Sequence, residues 1–266
     1  MSTAAVFIIT LLLSAGATAG IRHLAWRCHI IDTPDGERKI HGRAVPLLGG
    51  VAIFVSFFAG LFFAQDAVLA RGLTETNLWV FFAGALVLLT GGVLDDVFDL
   101  KPRWQIIFPV VAALLVIYGG ISIVKVTNPF GGLVHFGALA SAGLTFVWIL
   151  GMIYTTKLLD GADGLVSGLG VISGVIIFLF TMTTRYYQPD IGLMALLFAA
   201  ACLGFLFFNF YPAKIFLGES GSVLVGYIIA VFILLLKLRC FSRLSASRSR
   251  TISSFPDRSP ARMRAV

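Results

Sequence analysis

Eight separate stretches of this chain are apolar for about the depth of a lipid bilayer, and one water-soluble core cannot absorb them. They run 3–21, 47–64, 78–94, 105–124, 138–154, 164–182, 191–209 and 215–236. A helix crossing the hydrocarbon layer needs roughly 20 such residues, or about 17 at low tilt. The 266 residues are 58% hydrophobic and 12% charged, with mean hydropathy +0.96, a balance that no soluble domain of this size buries. The expected fold class is therefore all-α: a polytopic integral membrane protein of about eight transmembrane helices. The first run ends in "ATAG", as a cleaved leader does, but its first positive charge is Arg22, behind the apolar stretch rather than before it. It reads as a retained helix. Cys28, Cys202 and Cys240 have neither paired nor metal-ligand spacing, so no zinc site or disulfide framework is expected.

The charges divide the chain into two parts. The formal net charge is +7, yet the first 236 residues carry 12 basic and 12 acidic groups. All the excess lies in 237–266, an Arg- and Ser-rich segment with the composition of a disordered tail, joined to a transmembrane domain at 1–236. A basic tail confined in this way gives no reason to expect a nucleic-acid partner; the bilayer is the expected surroundings. With eight crossings, the odd-numbered loops hold nine Lys and Arg residues and the even-numbered loops three. That asymmetry assigns the odd loops to the cytoplasm and the N-terminus to the outside. Nine of the twelve acidic groups join them, which the topology rule does not require, so the cytoplasmic face is the expected site of chemistry. The same topology sends the basic tail outside, against the rule. The native frame or fold is accordingly expected to stop near Lys237.

Four polar stretches stand out on that face. In "LTGGVLDDVFDLKPRW" a charge-free helix ends in Asp95, Asp96 and Asp99. Acidic groups at a helix C-terminus oppose the macrodipole by about 0.3–1 kcal/mol each, so either they are a solvated end or something compensates them. A hard divalent cation would do so, since Mg²⁺ takes one or two carboxylates together with substrate phosphates. The second, "TTKLLDGADGLVSG", opens a helix with two Asp-Gly steps and carries Lys157, a point charge suited to phosphate; an ordinary capped helix entry is the plain alternative. In "NFYPAKIFLGESGSVLVG", Glu219 stands among glycines that either admit close backbone packing or border a polar cavity. The first loop, "IDTPDGERKIHGRAVPLLGG", holds Arg38, Lys39, His41 and Arg43, a cluster explained equally by topology and by anion binding.

In this order, "DTPDGERKIHGRAVPLLGG", "GGVLDDVFDL", "NPFGG", "DGADGL" and "NFYPAKIFLGESGS" resemble the polyprenyl-phosphate N-acetylhexosamine-1-phosphate transferases. This is the membrane family of the phospho-N-acetylmuramoyl-pentapeptide transferase, and the first-loop form is closer to its N-acetylglucosamine-1-phosphate branch. The resemblance implies transfer of N-acetylhexosamine-1-phosphate from a UDP-sugar to undecaprenyl phosphate with release of UMP. This would be the first membrane step of cell-wall or surface-polysaccharide assembly, on the cytoplasmic face of the bacterial inner membrane. It implies Mg²⁺, with Mn²⁺ as the alternative, and leaves homodimerisation open. Residue by residue, it implies catalytic roles for Asp95, Asp96 and Asp99 and metal binding by Glu219, Asp95 and Asp96. Substrate or nucleotide binding would fall to Arg38, Lys39, His41, Lys157, Asp160, Gly161, Ala162 and Asp163. Two departures accompany it: Glu219 stands for an aspartate, and Lys157 and Tyr154 stand where the family often has asparagines. The family's further helices and His-rich loop have no counterpart, which leaves a binding-only homologue as one alternative. A transporter is the other, although its carboxylates would be expected at mid-membrane.

Overall fold

The computed structural model describes residues 2–32, 44–70, 73–128, 132–183 and 187–253, with backbone alone at 127 and from 237 to 253. Arg38, Lys39, His41 and Arg43 of the first loop, the middle of "NPFGG" and the tail beyond 253 lie outside the described residues.

All eight apolar runs are helical. In chain order the helices are α1 (Thr3–Arg27), α2 (Gly49–Phe63), α3 (Gln65–Leu69), α4 (Glu75–Phe98), α5 (Pro102–Gln105), α6 (Ile107–Tyr118), α7 (Ala138–Leu159), α8 (Leu165–Thr183), α9 (Pro189–Asn209) and α10 (Gly218–Ser253). Among the described residues the strands pair antiparallel in two short two-stranded sheets, β1 (Ile31–Asp32) with β2 (Val45–Pro46) and β3 (Lys125–Thr127) with β4 (Leu133–His135). Side-chain caps start α1 and α4: the Ser2 hydroxyl accepts from the Ala5 amide at 3.2 Å and Thr74 from Asn77 at 3.2 Å. The architecture is the expected all-α membrane bundle.

Among the described residues, six helices are long and apolar enough to cross a membrane, while the runs at 47–64 and 105–124 give the shorter Gly49–Phe63 and Pro102–Tyr118. The 15 residues of α2 rise about 22 Å, short of a hydrocarbon layer of about 30 Å. The cause is local. At Ala64 the chain turns into α3, and Gly119 followed by Gly120, at φ +78°, closes α6 although apolar residues continue to Val124.

The centre of the bundle is α9 and α10. Of the most apolar window of each helix, 83% is buried in α10 (Gly218–Leu236) and 67% in α9, against 22% in α1 and in α7, which leave their apolar faces to lipid. Small residues let the helices meet closely, as where a Cβ at Gly170 would stand 2.7 Å from Cys202 Sγ. Buried aromatics fill the middle: the Phe57 ring lies 6.0 Å from Phe81, 5.8 Å from Phe198 and 6.2 Å from Phe232 in edge-on geometry. The Tyr227 hydroxyl donates to the Phe81 carbonyl at 3.1 Å, which satisfies a buried polar group at mid-helix.

Candidate active site

The described parts of the odd-numbered loops meet at one end of the bundle, where backbone hydrogen bonds join remote segments. Amides of Gly49 and Gly50 donate to the Phe216 and Leu217 carbonyls at 3.1 and 3.0 Å, and Phe216 donates back to Pro46 at 2.9 Å. The start of α10 is thereby wedged between α2 and α4. Any methyl group at Gly50 would fall on the Gly221 and Ser220 backbone, and one at Gly92 on the Ser220 backbone. Hydrogen is the only side chain that fits at these two positions.

The wedge brings the last turn of α4 against the first turn of α10, and there Asp96 finds its compensation. Its Oδ1 accepts from the Glu219 amide at 2.8 Å, and its Oδ2 from the Ser220 amide at 3.3 Å and the Ser220 hydroxyl at 2.8 Å. A carboxylate that is unfavourable at the negative end of its own helix caps the positive end of another. Gly218, at φ +74°, turns the chain into α10; a Cβ there would stand 2.7 Å from Asp96 Oδ2.

Asp95 starts a different chain of contacts. Its Oδ1 accepts from the Leu100 amide at 2.9 Å and from Gln105 Nε2 at 2.8 Å. The Gln105 Oε1 accepts from Lys157 Nζ at 3.0 Å, and the same ammonium lies 3.0 Å from Glu219 Oε2. The series Asp95, Gln105, Lys157, Glu219 thus ties together α4, α5, α7 and α10. These four line one pocket with Tyr154, and the pocket continues between apolar walls that include Leu88, Phe108, Pro109 and Val223.

Asp160 ends α7, and its carboxyl is pushed up to about 7, first by burial and then by the negative charges of Glu219 and Asp96. Those three carboxylates therefore share one field. Asp163 is turned to scaffolding, its Oδ2 accepting from the Ala213 amide at 3.0 Å. Gly161 and Ala162 are exposed on the connecting turn. Asp99 caps α4 in the left-handed region at φ 48° and is exposed; it does not line the pocket.

Among the described residues, no three His, Cys, Asp or Glu side chains stand close enough to hold a metal ion by themselves. Asp96 has both oxygens engaged by α10, whereas Asp95 and Glu219 present hard oxygen donors to one pocket, which suits an ion held by two carboxylates and substrate phosphate. Two participants lacked a sequence signal strong enough to mark them. Gln105 is a single polar residue at the edge of an apolar run. Asn209 ends α9, where its Oδ1 accepts from the Gly164 amide at 3.1 Å and the Ser167 hydroxyl at 2.8 Å while its Nδ2 donates to Ile215 at 3.0 Å. A buried amide at a helix end, directly before a Pro-containing loop, was the available clue.

Comparison with known proteins gives a family match, glycosyl transferase family 4, over residues 78–237. A probable undecaprenyl-phosphate N-acetylglucosaminyl 1-phosphate transferase of Bacillus subtilis is 34% identical over 231 residues, 86% of this chain and 62% of the relative. The decaprenyl-phosphate N-acetylglucosaminephosphotransferase of Mycobacterium tuberculosis is 31% identical over 226 residues, 80% of this chain and 55% of its own. An undecaprenyl-phosphate alpha-N-acetylglucosaminyl 1-phosphate transferase of Thermotoga maritima is 33% identical over 209 residues, 79% of this chain and 58% of its own. The chain thus spans between 55% and 62% of the length of these curated relatives.

Proposed function

Because the chain belongs to glycosyl transferase family 4, we propose that it transfers N-acetylhexosamine-1-phosphate from a UDP-sugar to a polyprenyl phosphate and releases UMP. The observation that carries this reading is the two-part pocket. Asp95, Gln105, Tyr154, Lys157 and Glu219 form a polar rim, and Leu88, Phe108, Pro109 and Val223 an apolar continuation between helices. An anionic headgroup on an isoprenoid chain has the same division. The relatives' names point to the same substrates, undecaprenyl or decaprenyl phosphate and N-acetylglucosamine 1-phosphate.

In the reaction a phosphate oxygen of the lipid attacks the β-phosphorus of the UDP-sugar. The bond from that phosphorus to the bridging oxygen breaks, and UMP leaves with the electron pair. Catalysis of such a transfer is mainly positioning and charge neutralisation. A divalent cation, Mg²⁺ or Mn²⁺, would supply the neutralisation, with Asp95 and Glu219 as its protein donors. Lys157 contributes a positive charge to the polar rim, where the diphosphate would lie. Asp96 acts by holding the start of α10, and hence Glu219, at its height beside α4. Asp160 and the turn through Asp163 border the nucleotide side. We assign the site to the cytoplasmic face of the bacterial plasma membrane, supported by the nine-to-three division of basic residues between loops. Purified protein with undecaprenyl phosphate, Mg²⁺ and UDP-N-acetylglucosamine should release UMP in step with formation of lipid diphosphate sugar. Absence of both products across a panel of UDP-N-acetylhexosamines would refute the reading.

A further inference from the structure

Two residues that depart from the expected pattern, Lys157 and Glu219, touch each other. They come from α7 and α10, 62 positions apart, and their charged atoms lie 3.0 Å apart with side chains 25% and 34% exposed. The lysine end of the pair is oriented by another group. Gln105 accepts from the ammonium at 3.0 Å and is itself held on Asp95 at 2.8 Å. Lys157 lies in the last turn of α7 and Glu219 in the first turn of α10, so each charge also sits at the helix end that favours it. The ammonium is therefore a seated counter-ion.

We propose that Lys157 is the resident cation of Glu219, and that a divalent ion enters the site by exchange with it, freeing the ammonium for the substrate's diphosphate. The inference rests on the reading above that Asp95 and Glu219 hold the ion. The ammonium holds Oε2 at 3.0 Å, and a divalent ion bound directly to the same carboxylate at about 2.1 Å would stand close enough to it for the two cations to repel. The displaced ammonium needs a new anion, and the phosphates of the incoming UDP-sugar provide one. Ion and nucleotide sugar then assist each other's binding, reciprocally. A site of this design stays charge-balanced when empty and binds metal weakly until substrate arrives. Glutamate in place of aspartate suits it, since the longer side chain reaches the ammonium across the gap between two helices.

Mn²⁺ binding to the detergent-purified chain, followed by electron paramagnetic resonance without substrate, tests the exchange apart from turnover. Lys157→Gln should bind Mn²⁺ about tenfold tighter than the parent, as expected for loss of a competing charged hydrogen bond. Lys157→Arg, which keeps the pair, should stay near the parent. UDP-N-acetylglucosamine should raise Mn²⁺ affinity in the parent and much less in Lys157→Gln. Equal or weaker Mn²⁺ binding by a folded, monodisperse Lys157→Gln protein would overturn the exchange. Glu219→Gln tests the ion site itself: if it leaves Mn²⁺ binding intact, the ion sits elsewhere and the exchange falls together with the assignment of Glu219 as its donor. If the exchange is seen while no UDP-sugar yields UMP, the counter-ion role stands and the transfer reaction falls.

Discussion

The two ends of this bundle carry carboxylates in different ways. At the site end, Asp95, Asp96, Asp163 and Glu219 each engage a group from another segment, so that three loops are tied through acidic side chains. At the far end, around α3 and the start of α4, Asp66 and Glu75 are exposed beside an aromatic group in which Phe62, Trp79 and Phe82 lie 5.8 to 6.1 Å apart. Beside α3 that aromatic layer, rather than these two charges, packs the far end, as interfacial aromatics commonly do, while Asp190 at the start of α9 is buried. The difference separates acidic residues that build the protein from those that only meet water, a distinction that counting charges per loop does not make.

The strongest attempt to break this contrast is Asp96→Ala, which leaves the Glu219 and Ser220 amides and the Ser220 hydroxyl without an acceptor. A loss on the order of 3 kcal/mol is expected, read as a large drop in thermal midpoint in detergent together with loss of UMP release. Asp96→Asn keeps a carbonyl acceptor and should lose less stability. Next in size is Gly218→Ala. It combines a left-handed backbone at φ +74° with a methyl group pressed on Asp96, and roughly 1–3 kcal/mol should disappear. An Ala variant as stable as the parent would show that the cap does not hold α10.

Asp160 gives a smaller, pH-dependent test. Its carboxyl is raised from 3.8 to about 7, so the folded chain holds that proton more tightly than the unfolded chain. The resulting stabilisation is complete below about pH 4 and fades as pH rises through 7. In metal-free buffer the parent should lose thermal stability across that window, and Asp160→Asn should lose less of it. At pH 8 the Asn variant should be the more stable of the two, and an identical profile for both would remove Asp160 from the shared field. The smallest effect belongs to the far end. Asp66→Asn and Glu75→Gln should change stability by no more than about 0.5 kcal/mol, as exposed substitutions do. A larger shift in thermal midpoint would mean the far end is built on charge as well.

Element by element, legibility followed range. Helix existence was plain in the sequence because length and apolarity are properties of a contiguous run. Where α2 and α6 stop was not, because Ala64 and the Gly119–Gly120 pair act through local turns inside apolar sequence. The gathering of Asp95, Lys157 and Glu219 could be anticipated from loop parity and from the family resemblance. The contacts of Asp96 could not, since its partners lie 123 and 124 positions away and depend on where another helix begins. Gln105 escaped for a related reason: one amide beside an apolar run looks like a boundary until Asp95 and Lys157 flank it.

The carboxylate cap also fixes a height. Because Asp96 holds the first turn of α10 to the last turn of α4, the two helices are level at the site end whatever the lipid around them. A thicker or thinner bilayer must then be absorbed at their other ends, near Glu75 and beyond Leu236, by tilt or by lipid deformation costing fractions of a kcal/mol per ångström. Hydrophobic mismatch is thereby kept away from the polar pocket, and its geometry should hold in membranes of different thickness.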